Sequence, residues 1–117
     1  MSGLFARVFG IKSAALTWFD VADVQSRLGD VLLVDVREPQ EYHSAPGHLP
    51  GALNVPLAEV QGRADELGAS GKPVVLVCKT DRRSARAAEV LLAAGLRDVA
   101  VLRGGTDGWH AQGLELE

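Results

Sequence analysis

Cysteine is almost missing from this chain: Cys78 is the only one in 117 residues. A lone cysteine excludes an intrachain disulfide and a multi-cysteine zinc site, and its scarcity weakly favours a reducing compartment. A surplus of one charge is missing as well. With 12 Lys and Arg against 15 Asp and Glu, the net charge is -3 and the pI near 5.6, so neither nucleic acid nor a bulk membrane surface is expected as a partner. Long apolar runs are absent too. The opening MSGLFARVFGIKSAA is too short to span a bilayer and has no charged segment before its apolar part, so it reads as neither a transmembrane helix nor a signal peptide. The expected location, without an export signal, is the cytoplasm. Leu4, Phe5, Val8 and Phe9 share one helical face, so residues 1–15 are expected to form a short amphipathic arm docked on the domain. A membrane-surface or partner-binding arm is the alternative. Repeats and low-complexity tracts are lacking. What remains, 47% hydrophobic and 23% charged residues, is ordinary for a soluble protein, and the length makes one domain with a single core.

The informative stretch surrounds the cysteine. Val74-Val75-Leu76-Val77 follows Pro73 and reads as a short strand buried on both faces. After Arg83 the pattern turns Ala-rich and helical, with Ala87, Val90, Leu91 and Ala94 on the apolar side and Gly95 as the stop. Cys78 lies between strand and helix. Ligands of open α/β sheets bind beyond the carboxyl ends of strands, and a helix N-terminus presents free N–H groups and a positive dipole end. A free thiol has a pKa of about 8.5, which such a position and nearby cations lower. Lys79, Arg82, Arg83 and Arg86 supply the cations, opposed by Asp81. These features make Cys78 a candidate nucleophile; the alternative is a small buried hydrophobe at a strand end. No histidine is close in sequence, so activation by backbone amides and cations is simpler than a Cys–His pair.

The rest of the chain reads as alternating strands and helices. Leu16 to Phe19 suggests an edge strand, and Asp20 an N-cap for a helix over 21–28 with Val24 and Leu28 inward and Gly29 as the stop. Val31 to Val34 is a second buried strand, running into Asp35-Val36-Arg37-Glu38, and Pro39 starts a short helix. Gly47, Pro50 and Gly51 mark a turn before a brief strand at 53–55. A helix is expected from Leu57 to about Leu67, with Val60 and Leu67 on its core face, and a last strand over 99–102. Asp35 and Arg37 read either as an exposed loop salt bridge or as charges on the same rim as Cys78.

Two spacings separate the chemistries open to Cys78. Tyrosine phosphatases and related arsenate reductases use Cys-x5-Arg-Ser/Thr, whereas Cys78 and Arg83 have four residues between them and Ser84 follows. The loop resembles that of the rhodanese family of sulfurtransferases. Three further motifs carry the same resemblance in the family's order. They are Asp35-Val36-Arg37 through Glu41-Tyr42, Gly47-His48-Leu49-Pro50-Gly51-Ala52, and Arg103-Gly104-Gly105 through Trp109. The similarity spans residues 16–114, leaving 115–117 as a tail whose Leu116-Glu117 has the look of a cloning remnant. It implies a three-layer α/β fold with a central, mostly parallel sheet of about five strands and helices on both faces.

For function the resemblance implies a sulfurtransferase. Cys78 would take a sulfane sulfur from an anionic donor such as thiosulfate as a persulfide and pass it to cyanide, a thiol or a partner protein. Residues 79–83 (Lys79, Thr80, Asp81, Arg82, Arg83) would form the substrate-binding loop, and Asp35, Arg37 and Ser84 would support it. His48 would hold its turn by hydrogen bonding, Trp109 would anchor packing, and His110 has no assigned role. No metal and no organic cofactor is implied, and a monomer or weak dimer is expected. Many loops of the family carry Gly where this chain has Asp81, a residue that tolerates left-handed backbone but adds a negative charge beside the anion site. That charge is either neutralised by Arg82 or turned to solvent. A sulfur-carrier or interaction module with little thiosulfate turnover is the alternative function, and a phosphatase or arsenate reductase the more distant one.

Overall fold

The structure, a computed structural model, describes residues 16–117; the arm expected over 1–15 lies outside the described residues. Five strands form one parallel sheet: β1 (Thr17–Phe19), β2 (Leu32–Asp35), β3 (Leu53–Asn54), β4 (Val74–Val77) and β5 (Val99–Leu102). Their spatial order is β1-β5-β4-β2-β3. β4 and β5 are buried at every position because β-branched and aliphatic side chains alternate onto two covered faces. Val74, Leu76 and Cys78 join one core cluster with Ala87, Ala88 and Leu91, while Val75 and Val77 join the other with Val21, Val24 and Trp109. Each fully buried Val or Leu contributes about 1.5–3 kcal/mol.

The helices are α1 (Val21–Gln25), α2 (Pro39–His43), α3 (Leu57–Val60), α4 (Ala64–Gly68), α5 (Arg82–Ala93) and α6 (Gly105–Ala111). Asp20 caps α1 as expected, and its amide bonds the Asp23 carboxylate at 2.9 Å. The helix stops at Gln25 rather than Leu28, since the Ser26 hydroxyl and the Arg27 guanidinium both donate to the Asp23 carbonyl. Leu28 is therefore exposed, not inward. The single helix expected over 57–67 is two, α3 and α4, joined by a 3₁₀ turn at Gln61–Arg63 that contains Gly62, a poor helix former. Val60 and Leu67 are nevertheless both buried. In α5, Ala88 and Ser84 are buried and Ala94 is exposed, so the inward face is turned slightly from the expected one.

The tail is not free. Glu117 exchanges backbone hydrogen bonds with His48 (2.7 and 3.1 Å), and Leu114 and Leu116 pack against the second core cluster. A Cβ on Gly47 would meet the Glu117 carbonyl, and Gly47 has φ +115, so this close approach needs glycine.

Strand order reverses between β2 and β4. From β2 the chain moves outward to β3, then returns past β2 to β4 and on to β5. The loops leaving β2 and β4 lead to α2 and α5; Tyr42 of α2 packs with the second core cluster, whereas α5 packs with the first. They diverge to opposite faces and leave a crevice at their carboxyl ends, the position where open α/β sheets bind ligands.

Candidate active site

Cys78 sits one residue beyond β4 in this crevice and is 1% exposed. It nevertheless forms part of the wall of an open depression of about 480 Å³, together with Leu57, Lys79, Thr80, Arg82 and Arg83. Ser84 makes the contacts to the sulfur. Its backbone N–H donates to Cys78 Sγ at 3.3 Å and its Oγ lies 3.3 Å from the same atom. Ser84 is fully buried in the first turn of α5, so burial fixes this hydroxyl against the thiol.

The loop between Cys78 and α5 is oriented from below by α6. The Thr106 amide donates to the Cys78 carbonyl (2.9 Å) and the Asp107 amide to the Lys79 carbonyl (3.0 Å). The Cys78, Lys79 and Thr80 carbonyls converge so tightly on Gly105 that a Cβ there would lie 2.2, 2.6 and 2.4 Å from them. In a planar trans peptide the N–H points opposite to the C=O. The amides of Lys79, Thr80 and Asp81 therefore face away from α6, and among the described residues none of the amides of 79–83 donates to a protein acceptor. In sequence Gly105 is marked only as part of the motif at residues 103–109; its contact with the carbonyls of the cysteine loop makes it a residue of the site. Asp81 has φ -154, so the loop does not use the left-handed conformation that the sequence reading considered.

Two of the loop's cations are neutralised. Arg83 forms a bidentate pair with Glu41 of α2 (2.7 and 3.0 Å), and Lys79 pairs with Asp107 of α6 at 2.8 Å. The Arg83 hydrogen bond is the main reason that the Glu41 carboxyl is held down at about 2, burial opposing it; the Arg83 guanidinium is correspondingly raised by Glu41. Arg83 is thus a strut between α5 and α2, a role for Glu41 that its place in the Asp35–Tyr42 motif could have signalled. Arg82 and Arg86 have no carboxylate partner among the described residues and line the depression. Asp81 pairs with no cation there either, so Arg82 does not neutralise it.

Asp35 and Arg37 lie on the same rim, buried rather than exposed. Asp35 is 0% and Arg37 6% exposed. Arg37 Nε and Nη2 bond both Asp35 carboxylate oxygens at 2.7 to 3.1 Å, and Nη2 also donates to the Gly47 carbonyl. The pair ties the end of β2 to the Gly47–Ala52 turn and makes no direct bond to the cysteine loop. His48 holds that turn, as expected: its Nδ1 lies 2.9 Å from the Tyr42 carbonyl and its ring stacks on Tyr42 at 3.7 Å. Trp109 is buried, with Nε1 donating to the Glu115 carbonyl. Among the described residues no cluster of metal-ligating side chains occurs.

A parallel sheet carrying a lone thiol under a helix start at its switch point is the arrangement of a rhodanese-like domain. The chain belongs to that family, whose model, the Rhodanese-like domain, matches residues 20–112. It is 42% identical over 77 residues to the uncharacterized protein YqhL of Bacillus subtilis, covering 66% of this chain but only 59% of that protein. It is 38% identical over 87 residues to a sulfurtransferase of Allochromatium vinosum, covering 74% of this chain and 78% of the relative. Among solved structures, a Rhodopseudomonas palustris protein described as a possible tyrosine phosphatase superposes with a TM-score of 0.82 at 26% identity, covering 91% of this chain and 88% of that one.

Proposed function

We propose that this domain transfers sulfane sulfur through a persulfide on Cys78. The observation that carries the reading is the loop whose carbonyls are tied to α6, which leaves its own amides without protein acceptors, beside a Ser84 N–H that donates to the sulfur. Cys78 thiolate attacks the outer sulfur of a donor such as thiosulfate. A new Sγ–S bond forms, the sulfur–sulfur bond of the donor breaks, and sulfite leaves with its electron pair. The anionic persulfide is stabilised by backbone donors fixed before the reaction. An acceptor thiolate or cyanide then attacks the outer sulfur and the electron pair returns to Cys78, so the cycle is covalent and ping-pong. Ser84 and α6 position the loop, Arg82 and Arg86 attract the anionic donor, and Arg83 braces α5 against α2. Asp35 and Arg37 support the rim. The chemistry needs no metal or organic cofactor.

Phosphate-ester hydrolysis, the activity suggested for the Rhodopseudomonas palustris neighbour, needs a loop that encloses a tetrahedral oxyanion. Four residues between Cys78 and Arg83, and an Arg83 already held by Glu41, disfavour it here.

The test is intact mass after incubation with thiosulfate, for the protein and for Cys78→Ser. A gain of one sulfur, absent in the variant and reversed by cyanide or a thiol, is expected. No adduct on a Cys78 that alkylates readily would remove thiosulfate as donor and favour a carrier loaded by another protein. Neither adduct nor alkylation would end the catalytic reading.

A further inference from the structure

A second cavity, of about 320 Å³, lies beside the cysteine loop between α2 and α6. Lys79 belongs to the walls of both this cavity and the Cys78 depression, so the two meet at that residue. Arg37 forms part of the cavity wall although it is only 6% exposed. Its Nε and Nη2 are committed to Asp35 and Gly47, but Nη1, with two N–H donors, has no acceptor among the described residues. No described buried side-chain nitrogen or oxygen is left without a partner, so Nη1 keeps accessible surface rather than being sealed in the core. A fixed guanidinium with a free edge in the wall of a concave site is a carboxylate receptor. His110 and Gln40 also line it without adding negative charge, while Glu41 and Asp107 are already bound to Arg83 and Lys79.

We infer that this cavity is a carboxylate subsite, centred on Arg37 Nη1, for small carboxylate-bearing thiols that accept the sulfur. The inference rests on the persulfide reading for the thiol's role, and on the cavity alone for carboxylate binding. The acceptor's carboxylate lodges at Arg37 and its thiolate reaches over Lys79. The thiolate attacks the outer sulfur of the Cys78 persulfide; an RS–S bond forms, the Sγ–S bond breaks, and Cys78 regains the electron pair as thiolate. The product is the acceptor's own persulfide, and the proton of the thiol goes to solvent.

Replacing Arg37 would orphan Asp35, so the test uses exposed His110, as His110→Glu, which sets a carboxylate at the cavity mouth. Persulfide-loaded protein is discharged by mercaptoacetate, mercaptopropionate and mercaptohexanoate, and by neutral mercaptoethanol. Taking the ratio of acidic to neutral thiol within each protein cancels intrinsic thiol reactivity. At least one acidic thiol is expected to lose roughly tenfold in this ratio in the variant, the scale of one charged hydrogen bond. Separately, propionate, which has no thiol, is titrated into the reduced protein and followed by ¹H–¹⁵N NMR. Saturable shifts at the Arg37 side chain and Gln40, weakened in His110→Glu, are expected. Unchanged ratios together with no shift at Arg37, or shifts confined to Arg82 and Arg86, overturn the subsite. If thiosulfate loads no sulfur, the proposed function loses its donor, and the propionate titration still decides the subsite.

Discussion

β2 and β4 are neighbours in register, Asp35 beside Val77, and both end at the same rim, yet their loops treat polar groups in opposite ways. The β2 loop satisfies its charges internally: Asp35 accepts from the Arg37 backbone and side chain, and Arg37 reaches on to Gly47. The β4 loop sends its carbonyls to α6 and leaves its amides without protein acceptors. A saturated loop is a scaffold, and an unsaturated one is a receptor. The contrast supports the proposal that a four-residue turn stabilises an anionic persulfide. Its donors are oriented by a neighbour, not by the loop's own side chains.

The comparison breaks most visibly on the scaffold side. Asp35→Ala leaves the Arg37 guanidinium buried without its counter-charge, and urea unfolding should show a loss of about 3–5 kcal/mol. A loss below about 1 kcal/mol would mean that the β2 loop is no scaffold. On the receptor side, Gly105→Ala drives a methyl into the Cys78, Lys79 and Thr80 carbonyls, at a residue with φ +57. Persulfide formation should fall by about 100-fold, the cost of misplacing reacting groups by an ångström. Gly104→Ala is the sharper control: it shares a positive φ (+86), but its nearest contact would be Gly108 Cα at 3.6 Å, so it should lose stability with much less loss of rate.

The smallest effect is electrostatic. Glu41 is depressed in the folded protein, so the stabilisation it provides is complete above its ordinary value of 4.5 and is lost as pH falls towards about 2. Glu41→Gln should therefore flatten acid unfolding across that window. The pair is about one-third exposed and screened by solvent, so the difference should not exceed about 1 kcal/mol. Equal acid sensitivity of the two proteins would remove Arg83–Glu41 as a strut.

What could be read from the sequence follows the same division. Strands such as Val74–Val77 and Val99–Leu102 announce themselves because burial on both faces demands an unbroken apolar run. Cys78 was legible from its place between such a run and an Ala-rich helix. The start of α1 at Asp20 and the stop of α5 at Gly95 were legible too, but the ends decided by a single hydroxyl at Ser26 or by Gly62 were not. Glu41 and Gly105 stand in the motifs, but their partners in the site were hidden for another reason. Arg83 meets Glu41 across 42 positions, and the glycine required at Gly105 shows in the sequence without showing which carbonyls approach it. The burial of Asp35 and Arg37 was equally invisible, since a charge at a strand end is normally solvated and only the Gly47–Ala52 turn covers this one.

The edge position of β1 has a consequence for how the molecule is made. Thr17 pairs with Ala100, and the Phe19 carbonyl accepts from Arg103, so β1 has no strand partner among the described residues until β5 has been synthesised. Contacts of such long sequence separation slow folding, because loop closure precedes any gain from pairing. The cysteine loop shares this delay, for its carbonyls find Thr106 and Asp107 only after β5 is in place. During translation Cys78 therefore emerges on an unfinished sheet, and the carbonyls of its loop are tied down only once α6 has followed β5.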